Sequence, residues 1–154
     1  MVAFTVSSTS FDEGMEIPIR HTCGGANVSP PLTWVGAPTG TMSFAVIHHD
    51  VTIDFLHSAI WDIPAATMTL PEGVSNVAEP PEVSGAKQCP SWQSAVIGYN
   101  GPCPKNQHSY AFDVYAIDVA TLPNVTTTSS LSAVETEVMS HSLGKTTLMG
   151  IYTP

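Results

Sequence analysis

Positive charge is scarce in this sequence. Its 154 residues include 4 Lys and Arg against 13 Asp and Glu, a formal net charge of −9. Such an imbalance repels phosphate backbones and acidic membrane surfaces at long range, so nucleic acid is not an expected partner. It also restricts any anion site. With Arg20, Lys87, Lys105 and Lys145 as the full set of strong cations, an anion must be held by backbone N–H groups and histidines. Long apolar runs are missing too, and nothing approaches the ~20 residues that a spanning helix needs. The chain is therefore not expected to be transmembrane. Cysteine is limited to Cys23, Cys89 and Cys103, enough for one internal disulfide with one thiol left free or pairing between chains. Cys89 can pair with Cys103 or with Cys23, and the sequence does not choose. The first residues lack the charged and apolar regions of a signal peptide, which fits a cytoplasmic chain or an exported one whose signal lies outside this sequence.

The length suits a single domain over residues 1–154, large enough to bury roughly two thirds of its unfolded surface. Short β-like runs dominate. Val2 to Ser7, Ser43 to His49, Leu56 to Ile63, Ser109 to Asp118 and Thr146 to Tyr152 are rich in Val, Ile, Phe, Tyr and Thr. In the fourth run Tyr110, Phe112, Val114 and Ala116 fall on one face, and Ala111, Asp113, Tyr115 and Ile117 on the other. Both faces are largely apolar, which predicts a central strand between two layers. Thirteen prolines in Pro- and Gly-rich connections argue against a helical bundle. One helix is predicted over Leu131 to Leu143, with Ser132 and Glu135 as a capping box and Gly144 as its stop. The expected fold is mainly β, an antiparallel β-sandwich with a C-terminal helix.

Three segments bring unusual polar residues to strand ends: His48-His49-Asp50, His57, and the stretch from Gly101 through His108 to Tyr110. If the strands carrying Asp50 and His57 are neighbours, their ends meet. A carboxylate can fix one imidazole tautomer or keep the ring protonated, leaving N–H groups to donate to an anionic oxygen. His108 and Tyr110 are two residues apart, so on a strand they share a face. Gly101 lets the following loop bring backbone donors close to a ligand. His48, on an apolar strand, reads as a core or surface histidine. Ser109 adjoins His108, but adjacent strand residues face opposite ways, which argues against a Ser–His nucleophile pair. Asn27-Val28-Ser29 and Asn124-Val125-Thr126 match the N-glycosylation pattern.

Three blocks of this sequence resemble the phosphatidylethanolamine-binding protein family of bacterial and archaeal type, also called Raf kinase inhibitor-like. The first is Thr22-Cys23-Gly24-Gly25 with Asn27 through Trp34. The second runs from Ser43 through Asp50 to His57 and Ile60-Trp61-Asp62-Ile63-Pro64. The third is Gly98-Tyr99-Asn100-Gly101-Pro102-Cys103-Pro104 with His108-Ser109-Tyr110. The resemblance implies a β-sandwich whose loops enclose an anion pocket for phosphate or a phosphoethanolamine headgroup. It places Asp50, His57, Pro102, His108 and Tyr110 in that pocket. Where the family usually has Asp-Pro-Asp and a further Pro, this chain has Asp50-Val51-Thr52-Ile53-Asp54, so the loop is expected to differ in shape. Phe55-Leu56 stands where many members carry Trp, which predicts a smaller or displaced aromatic wall.

The leading expectation is thus non-catalytic binding of an anionic or phosphorylated small group, with Asp50, His57, Gly101, Pro102, His108 and Tyr110 as ligand-binding residues. No catalytic residue, metal or cofactor is assigned. Family resemblance supplies the alternative, an inhibitor of a serine protease or kinase acting through an exposed loop, for which Pro80 to Trp92 is the best segment. A metal-dependent enzyme using His49, Asp50, His57 and His108 is a third, weaker reading. The protein is compatible with a monomer or a homodimer.

Overall fold

The computed structural model describes residues 2–154. In chain order the elements are β1 (Thr5–Ser7), β2 (Met15–Glu16), a 3-10 turn (Ile19–His21), β3 (Leu32–Val35), β4 (Ser43–Asp50), β5 (Phe55–Pro64), β6 (Thr69–Leu70), β7 (Lys87–Gln88), β8 (His108–Ile117), α1 (Leu131–Ser140) and β9 (Ser142–Tyr152). They form a three-stranded sheet, β1-β3-β6, packed on a six-stranded sheet, β2-β9-β8-β4-β5-β7. All pairings are antiparallel except β2 with β9, which is parallel.

Strand β8 is buried on both faces, as its two apolar rows require. Tyr110, Phe112, Val114 and Ala116 enter the core between the sheets, with Trp34, Phe44 and Ile17. Tyr115 and Ile117 enter a second core under α1, with Trp61, Val134 and Val138. The molecule is therefore layered as small sheet, large sheet and helix. Each large apolar side chain fully buried in these cores contributes roughly 1.5–3 kcal/mol.

The helix starts at Leu131 as the sequence predicts, but its cap and its C-terminal end differ from the prediction. Its N-cap is Ser130, whose Oγ accepts from the Ala133 N–H at 3.2 Å. Ser132 lies inside the first turn, so the predicted capping box is two residues out of register. The C-terminal end comes at His141, because Ser142 already pairs with Ile117 and Gly144 with Ala116 in the β8–β9 ladder. Gly144 is a strand residue rather than a helix stop. The long ladder with β8 outweighs the few further helical hydrogen bonds that Ser142 to Leu143 would add.

Candidate anion-binding pocket

Antiparallel pairing of β4 with both β5 and β8 brings three strand ends together. Asp50 ends β4 opposite Phe55 of β5 and Tyr110 of β8. Its carboxylate is buried. Oδ1 accepts from the backbone N–H groups of Thr52 (2.9 Å) and Ile53 (3.3 Å), closing the β4–β5 turn. Oδ2 accepts from His108 Nδ1 at 2.5 Å. The imidazole that Asp50 orients is therefore His108, and its Nε2 is left free of that bond; when the ring is protonated, Nε2–H is a donor.

His57 is held differently. Its Nδ1 donates to the Asn100 carbonyl at 2.9 Å, which leaves Nε2 as a lone pair while the ring is neutral. Burial lowers its pKa below 6.5, with the Asn100 hydrogen bond and the Asp50 charge opposing the shift only in part. Burial, together with Asp50, raises the pKa of Tyr110, so its hydroxyl keeps its proton. These side chains wall a cavity of about 130 Å3, completed by Ile53, Phe55, Trp92, Cys103 and Pro104. Trp92 packs on His57 at 5.6 Å between ring centroids and on Phe55 at 6.1 Å. Its buried indole N–H has no hydrogen-bond partner among the described residues.

Of the residues singled out in the sequence, Asp50, His57, His108 and Tyr110 line this cavity, whereas Gly101 and Pro102 do not. The Gly101 N–H donates to Asn27 Oδ1 at 2.8 Å, and a Cβ there would lie 2.1 Å from the His21 carbonyl oxygen. Pro102 is buried and its carbonyl accepts from the Cys23 N–H. Both act behind the pocket, supporting the loop whose Asn100 carbonyl orients His57. Cys103 and Pro104 supply the wall instead. Cys103 is disulfide-bonded to Cys23, with Cα atoms 5.4 Å apart. Cys89 is a buried free thiol, its pKa pushed up to about 11 by burial.

The sequence did not point to Trp92, because a lone aromatic in a Pro- and Ser-rich connection carries no periodic signal. It supplies the aromatic surface that the smaller Phe55 leaves open. His49, one residue before Asp50, projects to the opposite face and meets Asp113 at 2.8 Å. The set His49, Asp50, His57 and His108 is therefore not assembled, and no cluster of three or more metal-ligating side chains occurs among the described residues. The Pro80 to Trp92 segment is not a protruding loop: Pro80, Val83, Ala86, Cys89 and Ser91 are buried, and β7 pairs with β5. Both glycosylation-pattern asparagines use their side-chain amides internally, Asn27 on Asn100 Oδ1 and Asn124 on Glu137.

A sequence profile described as phosphatidylethanolamine-binding protein matches residues 7–153. The chain belongs to the phosphatidylethanolamine-binding protein family. Relatives include a UPF0098 protein of Aquifex aeolicus, 37% identical over 96% of this chain and 86% of the relative. Another, from Methanothermobacter thermautotrophicus, is 35% identical over 93% and 94%. Among solved structures, Escherichia coli YbcL, described as a new member of the mammalian PEBP family, superposes with a TM-score of 0.88 at 28% identity over 99% of each chain. A phosphatidylethanolamine-binding protein homologue from Chlamydia trachomatis, CT736, gives 0.81 at 27% over 99% of this chain and 98% of that one. As a member of this family the protein keeps the β-sandwich while building its pocket mouth from Ile53, Phe55 and Trp92.

Proposed function

We propose that this protein is a non-catalytic binding module for an anionic, phosphorylated small group, such as a phosphoethanolamine-type headgroup, held between His108, His57, Tyr110 and Trp92. The observation that carries the reading is a walled cavity whose polar groups are oriented from behind, His108 by Asp50 and His57 by Asn100, while Trp92 brings an indole N–H without a protein partner. Preoriented rings lose little entropy when the ligand arrives, and each Nε2 becomes a donor on protonation. A protonated imidazole supplies local positive charge in a protein whose net charge is strongly negative. Exposed Ile53 and Phe55 at the cavity suit a group presented at an apolar boundary. No serine or cysteine nucleophile lines the cavity, since its one cysteine is in a disulfide.

The test is calorimetric titration of phosphate and phosphoethanolamine into the wild type and His108→Ala, with folding of both followed by circular dichroism. Saturable binding that the folded variant loses is the expected result. Absence of saturable binding to the wild type sinks the proposal, and steady release of a product from phosphoethanolamine would replace binding by catalysis.

A further inference from the structure

A second cavity, of about 40 Å3, lies between the two sheets, with His48 and Ser58 on one side and Val46, Leu70, Val74 and Phe112 among its apolar residues. It is distinct from the anion pocket, to which it has no lining residue in common. The two are separated by a layer of rings, in which His48 stacks on Phe112 at 4.2 Å and meets His57 edge-on at 5.2 Å.

His48 is 2% exposed and only half satisfied. Its Nδ1 lies 3.1 Å from the Ala111 carbonyl oxygen. A carbonyl can only accept, so Nδ1 carries the proton, and the Nε2 of the neutral ring is a bare lone pair. Burial, followed by the nearby His57, holds the His48 pKa well below 6.5, which keeps the ring in that form at neutral pH. Nε2 is buried and has no partner among the described residues. The site therefore lacks a donor. Ser58 is the cross-strand partner of His48 in the β4–β5 ladder, yet its hydroxyl makes no hydrogen bond to Nε2.

The size and lining narrow the occupant. A buried water needs roughly 10–15 Å3 and two to four polar partners, so this volume would take about three waters. But Gln88 already donates to the Ser75 and Val77 carbonyls, Tyr99 to the His21 carbonyl, and Ser29 accepts from the Val74 N–H, which leaves few groups to bond them. One organic molecule of three or four heavy atoms fits the same space, with a single hydroxyl at the polar end and carbons against the apolar wall. We propose that the cavity is a binding site for a small neutral alcohol, whose O–H donates to His48 Nε2 while its carbons pack on Val46, Leu70 and Val74. An anion is disfavoured there, because the lone pair of Nε2 faces it and no cationic side chain lines the cavity.

The test uses 2-propanol and acetone, which match in size but differ in having a donor. NMR is recorded on the wild type, on Ser58→Leu and on Val74→Phe, the last two designed to fill the cavity, with circular dichroism as the folding check. Saturable intermolecular NOEs from 2-propanol methyls to Leu70 and Val74 are expected, with acetone binding about tenfold more weakly for lack of one hydrogen bond. The NOEs should vanish in either folded variant and persist in saturating phosphate. Absence of NOEs, leaving a cavity that holds water only, overturns the proposal. So do equal affinities for the two probes, retention in both filled variants, or displacement by phosphate.

Discussion

Asp50 carries several structural tasks at once, which makes it the hinge of the site's chemistry. One oxygen closes the β4–β5 turn and the other fixes the tautomer of His108. On the proposed function, His57, oriented by a neutral carbonyl, is the group whose protonation a bound anion would favour. A bound anion raises the His57 pKa, whereas burial lowers it in the free protein. Between those two values binding takes up a proton, so affinity strengthens as pH falls and levels off only below the free-state pKa, which lies under 6.5. Calorimetry with sulfate, an anion that does not titrate in this range, should show affinity still rising between pH 6.5 and 5.5. A flat profile would mean that neutral donors hold the anion alone. Gly101 offers a second residue-scale test. The Gly101→Ala methyl would meet the His21 carbonyl, the Tyr99 hydroxyl at 2.7 Å and Asn27 Oδ1 at 2.9 Å. Forcing these apart should lower stability by about 2 kcal/mol in urea melts. It should also weaken anion binding, since the displaced loop carries the carbonyl that aims His57.

At the scale of elements, one cross-link joins two loops that hydrogen bonds also hold. The disulfide from Cys23 to Cys103 spans 80 residues of sequence and ties the segment after the 3-10 turn to the pocket wall. Closing a loop of that length is worth about 4.5 kcal/mol on chain-entropy grounds. Cys103→Ser should therefore lower the unfolding free energy from urea melts by most of that amount, and the measurement must be made against a reduced wild-type control, which should fall to the same level. At α1 the expected change is smaller: Ser130→Ala removes the N-cap acceptor and should cost about 1 kcal/mol, whereas Ser132→Ala should cost little. Elements with strong periodicity were legible in the sequence. The two apolar rows of β8 announced a strand between two cores, and Asp50, His57, His108 and Tyr110 announced a pocket at strand ends. Features set by tertiary pairing were not legible. The two-residue strands β2, β6 and β7 have no internal pattern, and the helix end yields to the β8–β9 ladder. Gly101 lies behind the pocket and Trp92 in its wall because loop residues face wherever the packed chain directs them, as the Asn27 contact does for Gly101.

Over the whole molecule, buried histidines tie folding to pH with opposing signs. His48 and His57 are held below 6.5, chiefly by burial, so the unfolded chain binds protons more readily than the folded one. Their effect is to remove stability as pH falls below 6.5 toward the folded values. His49 acts the other way. Its hydrogen bond to Asp113 raises its pKa in spite of burial, so its contribution is fully present below 6.5 and is lost as pH rises through the folded value. Asp113 enters in a lower window. Burial opposes its ionisation, but bonds from His49 and Thr147 prevail and hold its pKa below 3.8, so its contribution is lost as pH falls through that lowered value. Burial lowers His21 as well, so three histidines are shifted down against one shifted up, and the first acid effect should be a loss of stability between pH 7 and 5. Urea unfolding across that range should give a falling midpoint in the wild type, a flatter slope in His48→Gln and a steeper one in His49→Gln. The two single variants bend the curve in opposite directions, which general charge repulsion in a protein of net charge −9 would not produce.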